Sequence, residues 1–343
     1  MDMKLRMLYL AKREPGEDMW TPVFLEALKT VGDLRIERNT AAWRDEEAAA
    51  IGRQHEVILA DWGSRRLPDS LAGEPGHLRY VCNLSGTVRP FVSRSFIERG
   101  ILVSNWGSHP AFRVAEGTLT LLLACLKQLI PLNDQIRAGE WGRLDPDYRG
   151  SVKHLRIGLY GLGVIGNAFI DLVRPFQPRL KAYDRFAPSW PEGVDRAESL
   201  EDLFTDIEAV VIAAALTPET RASVRANHLA ALPDGGIVIN TARGAILDQE
   251  ALFAELETGR LRAGLDVLDT DGQDWVPENH PARSWPNLIL SAHRVASSPW
   301  NRRLYEADSL SEAQQIALEN LRRFREGETP HHLFDLERYD RST

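Results

Sequence analysis

The chain has 343 residues, a formal net charge of −8, 43% hydrophobic residues and 26% charged ones. An acidic chain with no basic block lacks the electrostatic footprint for nucleic acid or an anionic membrane, and the ordinary globular balance excludes long disorder. Two cysteines, Cys82 and Cys125, exclude a disulfide scaffold and a cysteine-rich zinc site, and fit a reducing compartment.

The length suggests two or three domains. The N-terminal apolar run 7–10 is too short for a signal peptide, and the stretch 119–130, broken by Lys127 and Gln128, falls short of a membrane span. A soluble cytoplasmic protein is therefore expected. Short apolar runs alternate with helical patterns, the signature of βα units around parallel sheets. The first third offers strands at 5–10, 57–61, 79–83 and 101–104, with helices near 20–29 and 91–99. A long helical pattern covers 111–135, and Pro131 should kink it.

Beyond the turn-rich stretch 139–150 come strands at 155–160, 180–183, 209–215, 236–240, 262–267 and 287–291. Six strands with helices between them match a dinucleotide-binding sheet. The tail resumes a helical pattern at 310–325. His331 and His332 have no spaced ligand partner and read as a surface pair.

Residues 155–166, LRIGLYGLGVIG, place Gly161, Gly163 and Gly166 in a G-x-G-x-x-G pattern between a buried-type strand and a helix. The first glycine permits a sharp turn and the second a close approach of pyrophosphate. The third lets helix and strand pack, so that the phosphates meet the free N–H groups of the helix start, Val164 and Ile165 included. Asp184 ends the next strand, 18 residues past Gly166. A carboxylate there holds the ribose hydroxyls and repels a 2′-phosphate, which favours NAD. Arg185 is the counter-signal, because it could pair with that phosphate.

Three later strand ends carry candidate chemistry. Arg243 follows the strand ending at Asn240, on the edge where open α/β sheets bind ligands, and could hold a carboxylate through two parallel bonds. A surface arginine capping its own loop is the alternative. Asp266 ends the next strand, with Asp269 and Asp271 beyond it. His293 follows the last strand and suits general acid/base work near neutral pH. Asp248 is expected to cap the helix after Arg243.

These motifs resemble the D-isomer-specific 2-hydroxyacid dehydrogenases, a family that includes phosphoglycerate, glyoxylate/hydroxypyruvate, D-lactate, formate and phosphite dehydrogenases. The resemblance covers residues 79–326 and rests on ILVSN…VAEGTL, YGLGVIG, LTPET, INTARGAILDQEAL, LRAGLDV and LSAHRVASS. It implies an α/β protein of two doubly wound parallel-sheet domains. A Rossmann NAD-binding domain, residues 107–296, would be inserted into a flavodoxin-like substrate domain, residues 1–106 and 297–343. It further implies a homodimer and a small 2-oxo or 2-hydroxy acid substrate.

By the same resemblance, Arg243 is the carboxylate-binding arginine and His293 the catalytic histidine. Ser85 and Gly86 lie in the loop whose amides receive the substrate carboxylate. Thr118 and Thr220 lie near the nicotinamide-ribose side of NAD and Asp266 near the carboxamide, and Ala215, Thr241, Ala242 and His293 also belong to the cofactor site. The chain departs from the family at two places. Asp271 stands where a glutamate usually partners the histidine, and Gly272 follows in place of the usual proline, which leaves Asp269 a rival. Ala292 stands where a proline commonly precedes the histidine. The expected reaction is hydride transfer between NADH and C2 of a 2-oxo acid. A non-catalytic NAD-sensing protein of the corepressor type and a formate- or phosphite-type dehydrogenase are the alternative readings.

Overall fold

The computed structural model describes residues 4–16, 19–141, 150–269, 276, 278–296 and 309–341. The chain forms two compact units, Met1–His109 with Ser298–Thr343, and Pro110–Ser297.

The first unit runs β1 (Leu5–Leu10), α1 (Pro22–Lys29), β2 (Gly32–Glu37), α2 (Asp45–Gly52), β3 (Val57–Ala60), α3 (Asp69–Gly73), β4 (Tyr80–Asn83), α4 (Arg94–Glu98) and β5 (Leu102–Ser104). The five strands pair in the order β2-β1-β3-β4-β5, every pair parallel. Parallel strands are covered on both faces, so they read as continuous apolar runs, and β3 (VILA) is buried throughout. Leu8, Ile58, Val81, Val103 and Phe96 fill one face. Met7, Tyr9, Val57, Leu59 and Tyr80 fill the other, beneath Ala317, Leu318 and Leu321 of the tail helix Glu312–Arg325. That helix starts in a reciprocal cap between Ser311 and Gln314.

Strand β2 was not expected from the sequence. It is an edge strand, GDLRIE, whose single neighbour is β1 and whose residues are mostly half-exposed, so no apolar run announces it.

The second unit runs α5 (Ala111–Leu126), α6 (Leu129–Arg137), β6 (Arg156–Tyr160), α7 (Val164–Val173), β7 (Arg179–Tyr183), β8 (Val194–Arg196), α8 (Leu200–Leu203), β9 (Ala209–Ile212), α9 (Ala226–Ala231), β10 (Ile237–Asn240), α10 (Gln249–Glu257), β11 (Arg262–Leu265) and β12 (Leu288–Leu290). Its sheet has seven parallel strands in the order β12-β11-β10-β9-β6-β7-β8, not the six expected. The extra strand β8 has three residues, of which Val194 alone is buried, too little for a period to show. The order reverses between β6 and β9, the crevice at which doubly wound sheets bind nucleotides.

The expected kink at Pro131 is corrected. The chain breaks earlier, at Gln128, whose φ is 46°, and α5 and α6 are bent by 54°. Pro131 then falls in the first turn of α6, where its missing N–H costs no hydrogen bond. No single helix among the described residues is long and apolar enough to cross a membrane. Asp248 caps α10 as expected, accepting from the Ala251 N–H at 3.1 Å.

Both cysteines are buried and free. Burial pushes the Cys82 thiol up to about 11 and Cys125 up to about 12, so neither is a nucleophile at neutral pH.

At the end of β3 the buried Asp61 carboxylate accepts from Tyr9 Oη at 2.6 Å, Trp20 Nε1 at 2.8 Å and the Gly63 N–H at 2.8 Å. Burial and this carboxylate push the Tyr9 phenol far above its ordinary range, so it remains a donor. Asp61→Ala leaves the Tyr9 and Trp20 donors buried without an acceptor. It is expected to lower stability by roughly 3–5 kcal/mol, read by urea denaturation. A change below about 1 kcal/mol would show that water replaces the carboxylate.

Candidate active site

The glycine turn joins β6 to α7. Gly161 has φ 106°, and a Cβ there would lie 2.6 Å from the Ala214 nitrogen. A Cβ on Gly166 would collide with the Gly161 carbonyl oxygen, whereas Gly163 faces open space. Among the described residues, the N–H groups of Gly163, Val164 and Ile165 have no acceptor. They stand at the positive end of α7, which is the donor set a pyrophosphate requires.

Asp184 is the next element of this turn. Its Oδ2 accepts from the Leu162 N–H and its Oδ1 from the Phe186 N–H, both at 2.7 Å. The carboxylate is thereby fixed between the glycine turn and the end of β7. Arg185 is exposed, its guanidinium 5.7 Å from the centre of the Phe186 ring.

Arg243 lies half-buried at the end of β10, with Nη1 donating to the Ala242 carbonyl at 2.7 Å. The turn that presents it is held by Asn240. That side chain donates to the Arg243 carbonyl at 2.9 Å and accepts from the Ala242 N–H at 3.0 Å. The Thr241 and Thr118 hydroxyls share a hydrogen bond of 2.8 Å, tying the turn to α5. Gly244 lets it pack on the Leu268 backbone, where a side chain would collide.

Asp266 organises the histidine loop. Its buried Oδ1 accepts from Ser291 Oγ at 2.7 Å, the Arg294 N–H at 2.9 Å and the Val295 N–H at 3.0 Å. The His293 N–H donates to the Asp266 carbonyl at 2.6 Å. These bonds hold Ala292 at φ 52° and His293 at φ 56°, left-handed conformations that cost free energy outside glycine. Proline, with φ fixed near −65°, could not occupy position 292 in this loop. His293 is exposed, and Gly117 lets the Val295 backbone lie against α5, where a Cβ would collide with it.

Within the second unit, the turn carrying Thr241, Ala242 and Arg243, the Asp266 carboxylate, Thr118 and the His293 loop therefore form one connected edge. Thr220 braces the loop after β9, donating to the Ala215 carbonyl at 2.6 Å and accepting from the Thr217 N–H at 2.8 Å. Asp269 is exposed, and its backbone is held by the Gln249 side chain. Asp271 lies outside the described residues. In the sequence Asn240 reads only as a strand end, and Gly117 carries no signal of its own. Their roles depend on partners that only the fold supplies, although an asparagine ending an apolar strand is a usable signal.

Ser85 and Gly86 belong to the first unit, in the loop after β4. Asn83 donates from Nδ2 to the Ser85 and Thr87 carbonyls at 3.0 and 2.8 Å, and Asn105 Nδ2 donates to the Gly86 carbonyl at 2.6 Å. The carbonyls are thus occupied. The N–H groups of residues 85, 86 and 87 have no acceptor among the described residues; Gly86 and Thr87 are half-buried and Ser85 is buried.

Residues 119–294 match the model of the D-isomer specific 2-hydroxyacid dehydrogenase, NAD binding domain. The chain is 30% identical over 281 residues to a glyoxylate reductase of Thermococcus kodakarensis, covering 78% of this chain and 79% of that one. It is 26% identical to a D-3-phosphoglycerate dehydrogenase of Methanocaldococcus jannaschii, over 81% of this chain and 52% of that protein's length. Among solved structures, a 2-hydroxyacid dehydrogenase from Ketogulonicigenium vulgare is similar with a TM-score of 0.76 and 23% identity, over 98% of this chain and all of that one. An NADPH-dependent glyoxylate/hydroxypyruvate reductase from Sinorhizobium meliloti is similar with a TM-score of 0.75 and 24% identity, over 97% and 98%.

The Asp266 network makes a local prediction. In Asp266→Ala the amides of Arg294 and Val295 lose their acceptor, and their hydrogen exchange is expected to quicken at least about tenfold while the β6–β7 amides keep their rates. Unchanged protection of the two amides would mean that the loop is held elsewhere.

Proposed function

Because the chain belongs to the D-isomer specific 2-hydroxyacid dehydrogenase family, an oxidoreductase family acting on CH–OH groups, we propose that it transfers a hydride between NAD(H) and C2 of a small D-2-hydroxy acid or its 2-oxo acid. The observation that carries this reading is the connected edge of the second unit. There the loops of a half-buried arginine and an exposed histidine are fixed by the buried Asn240 and Asp266 side chains, and the start of α7 in the same unit leaves its amides open.

The residues of the glycine turn fit a dinucleotide. Gly161 and Gly166 have no room for a side chain, and the amides of residues 163–165 need an anion. When bound, the nicotinamide supplies or accepts the hydride. The chain's own groups bind, orient and move a proton. The amides of Ser85, Gly86 and Thr87 are assigned to the substrate carboxylate. Arg243 is assigned to the substrate's charged end and to the oxygen that gains charge during reduction, where a fixed cation stabilises the developing alkoxide. His293 in its charged form donates the proton to that oxygen, and in its neutral form it removes the hydroxyl proton in the reverse direction. Asp271 is assigned as its carboxylate partner.

His293→Ala is expected to lose about 100-fold or more in kcat for NADH-driven reduction, the scale of general acid catalysis, while still binding NADH by fluorescence titration. Arg243→Ala should chiefly raise KM, with a loss of kcat to the extent that it acts on the transition state. Near-wild-type turnover by His293→Ala would overturn the acid/base assignment.

The preferred cofactor is NAD. Asp184 is held by two backbone donors, so it cannot swing aside for a 2′-phosphate. Wild-type kcat/KM should be higher with NADH than with NADPH, and Asp184→Ala should narrow the ratio. Equal or better use of NADPH by the wild type would mean that Arg185 captures the phosphate.

A further inference from the structure

We propose that Trp62 and Trp106 determine substrate specificity, selecting 2-oxo acids with an apolar substituent on C3 over glyoxylate. The inference rests on the reading that the amides of residues 85–87 hold a substrate carboxylate, and it adds what lies beside them.

Strands β3, β4 and β5 are neighbours and parallel, so their C-terminal ends lie side by side. The end of β4 carries the loop of residues 85–87, tied to β3 by the Leu84 N–H donating to the Ala60 carbonyl at 2.7 Å. The ends of β3 and β5 carry Trp62 and Trp106. Gly86 lies directly against the second indole, since a Cβ on it would be 2.9 Å from Trp106 Nε1. That indole N–H has no acceptor among the described residues, so it is a further donor beside the amides of the half-buried Gly86 and Thr87. Trp62 meets Trp106 edge to face, with ring centroids 5.1 Å apart and planes at 74°.

Trp62 is 57% exposed, a large apolar surface left open beside a loop of unpaired donors. Both rings are mounted on stiff turns. Asp61 holds the Gly63 N–H at 2.8 Å and donates its own N–H to Ser64 Oγ at 2.8 Å, which fixes the turn around Trp62. Asn105 bridges the Gly86 carbonyl, the Gly107 N–H at 3.0 Å and Arg338 Nη2 at 3.0 Å, which fixes the turn around Trp106. Covering preset rings costs little ordering entropy, so the apolar area gained converts well into binding.

The chemistry of the ligand follows from this juxtaposition. An anionic group on the amides answers their charge. The C3 substituent of a 2-oxo acid is attached two bonds from the carboxylate carbon, close enough to meet indole surface adjoining the loop. A polar substituent would find one donor there, Trp106 Nε1, and would otherwise lose water against the indole faces without a partner. Glyoxylate has no C3 and would leave the tryptophan pair uncovered. A branched aliphatic or phenyl substituent would cover it.

The test is steady-state NADH-driven reduction of glyoxylate, 4-methyl-2-oxopentanoate and 3-phenylpyruvate by the wild type, Trp62→Ala and Trp62→Phe. Trp62 lies at the surface, so its removal opens no core cavity. The readout is the ratio of kcat/KM for each larger acid to that for glyoxylate. The wild-type ratio is expected to be at least about tenfold in favour of one larger acid. Trp62→Ala should lower that ratio about tenfold, and Trp62→Phe should restore most of it. A wild-type preference for glyoxylate, or a ratio unmoved by Trp62→Ala, would overturn the specificity role while leaving the 2-oxo acid reading intact. Failure to reduce any of the three acids would overturn both.

Discussion

The ends of the parallel strands depend on one interaction, an aspartate or asparagine that folds back onto the loop it begins. A strand leaving a parallel sheet abandons its ladder, and its next N–H groups need acceptors. Short polar side chains answer this by bonding the backbone two residues on. Asp61 takes the Gly63 N–H, Asn105 takes Gly107, Asp184 takes Phe186 and Asn240 takes Ala242. Asp266 does the same at longer range, drawing in the Arg294 and Val295 amides of the loop after β12. Asn83 acts from the opposite direction and occupies carbonyls, so that the amides of its loop stay open.

Function grows out of this constraint. Each of these strand-end loops is set by a buried or half-buried side chain beneath it, so the groups it carries are held in place by the fold itself. Catalysis rewards such preorganisation, because donors already in place need no reorganisation when charge develops. The cost is local strain. Ala292 and His293 both stand at positive φ, and the bonds to Asp266 help to hold that conformation. Substituting the strand-end residues should therefore disturb chemistry at groups they never touch.

Much of this was legible in the sequence. Strands buried on both faces announce themselves as apolar runs, and β1 and β6 were visible for that reason. The glycine turn was legible because Gly161, Gly163 and Gly166 answer separate steric demands at fixed spacing. Edge strand β2 and the three-residue β8 lack such a run. Pro131 misled because proline breaks a helix interior but suits a first turn, and the sequence does not say which is which. Gly117 was opaque, since the Val295 backbone that excludes its side chain is distant in the chain. Trp62 and Trp106 were unreadable as a pair until the strand order placed β3 and β5 on either side of β4.

The central claim is that these preset loops make a stereospecific dehydrogenase. It is tested most directly by the handedness of the product. The protein would be incubated with NADH and an excess of a prochiral 2-oxo acid, and the 2-hydroxy acid resolved by chiral chromatography. An arginine, a histidine and a glycine turn held in one arrangement would present one face of the carbonyl to the hydride, and with the handedness of the family the account predicts the D isomer as the single product. The L isomer, a racemate, or no hydroxy acid beyond the enzyme-free control would contradict it.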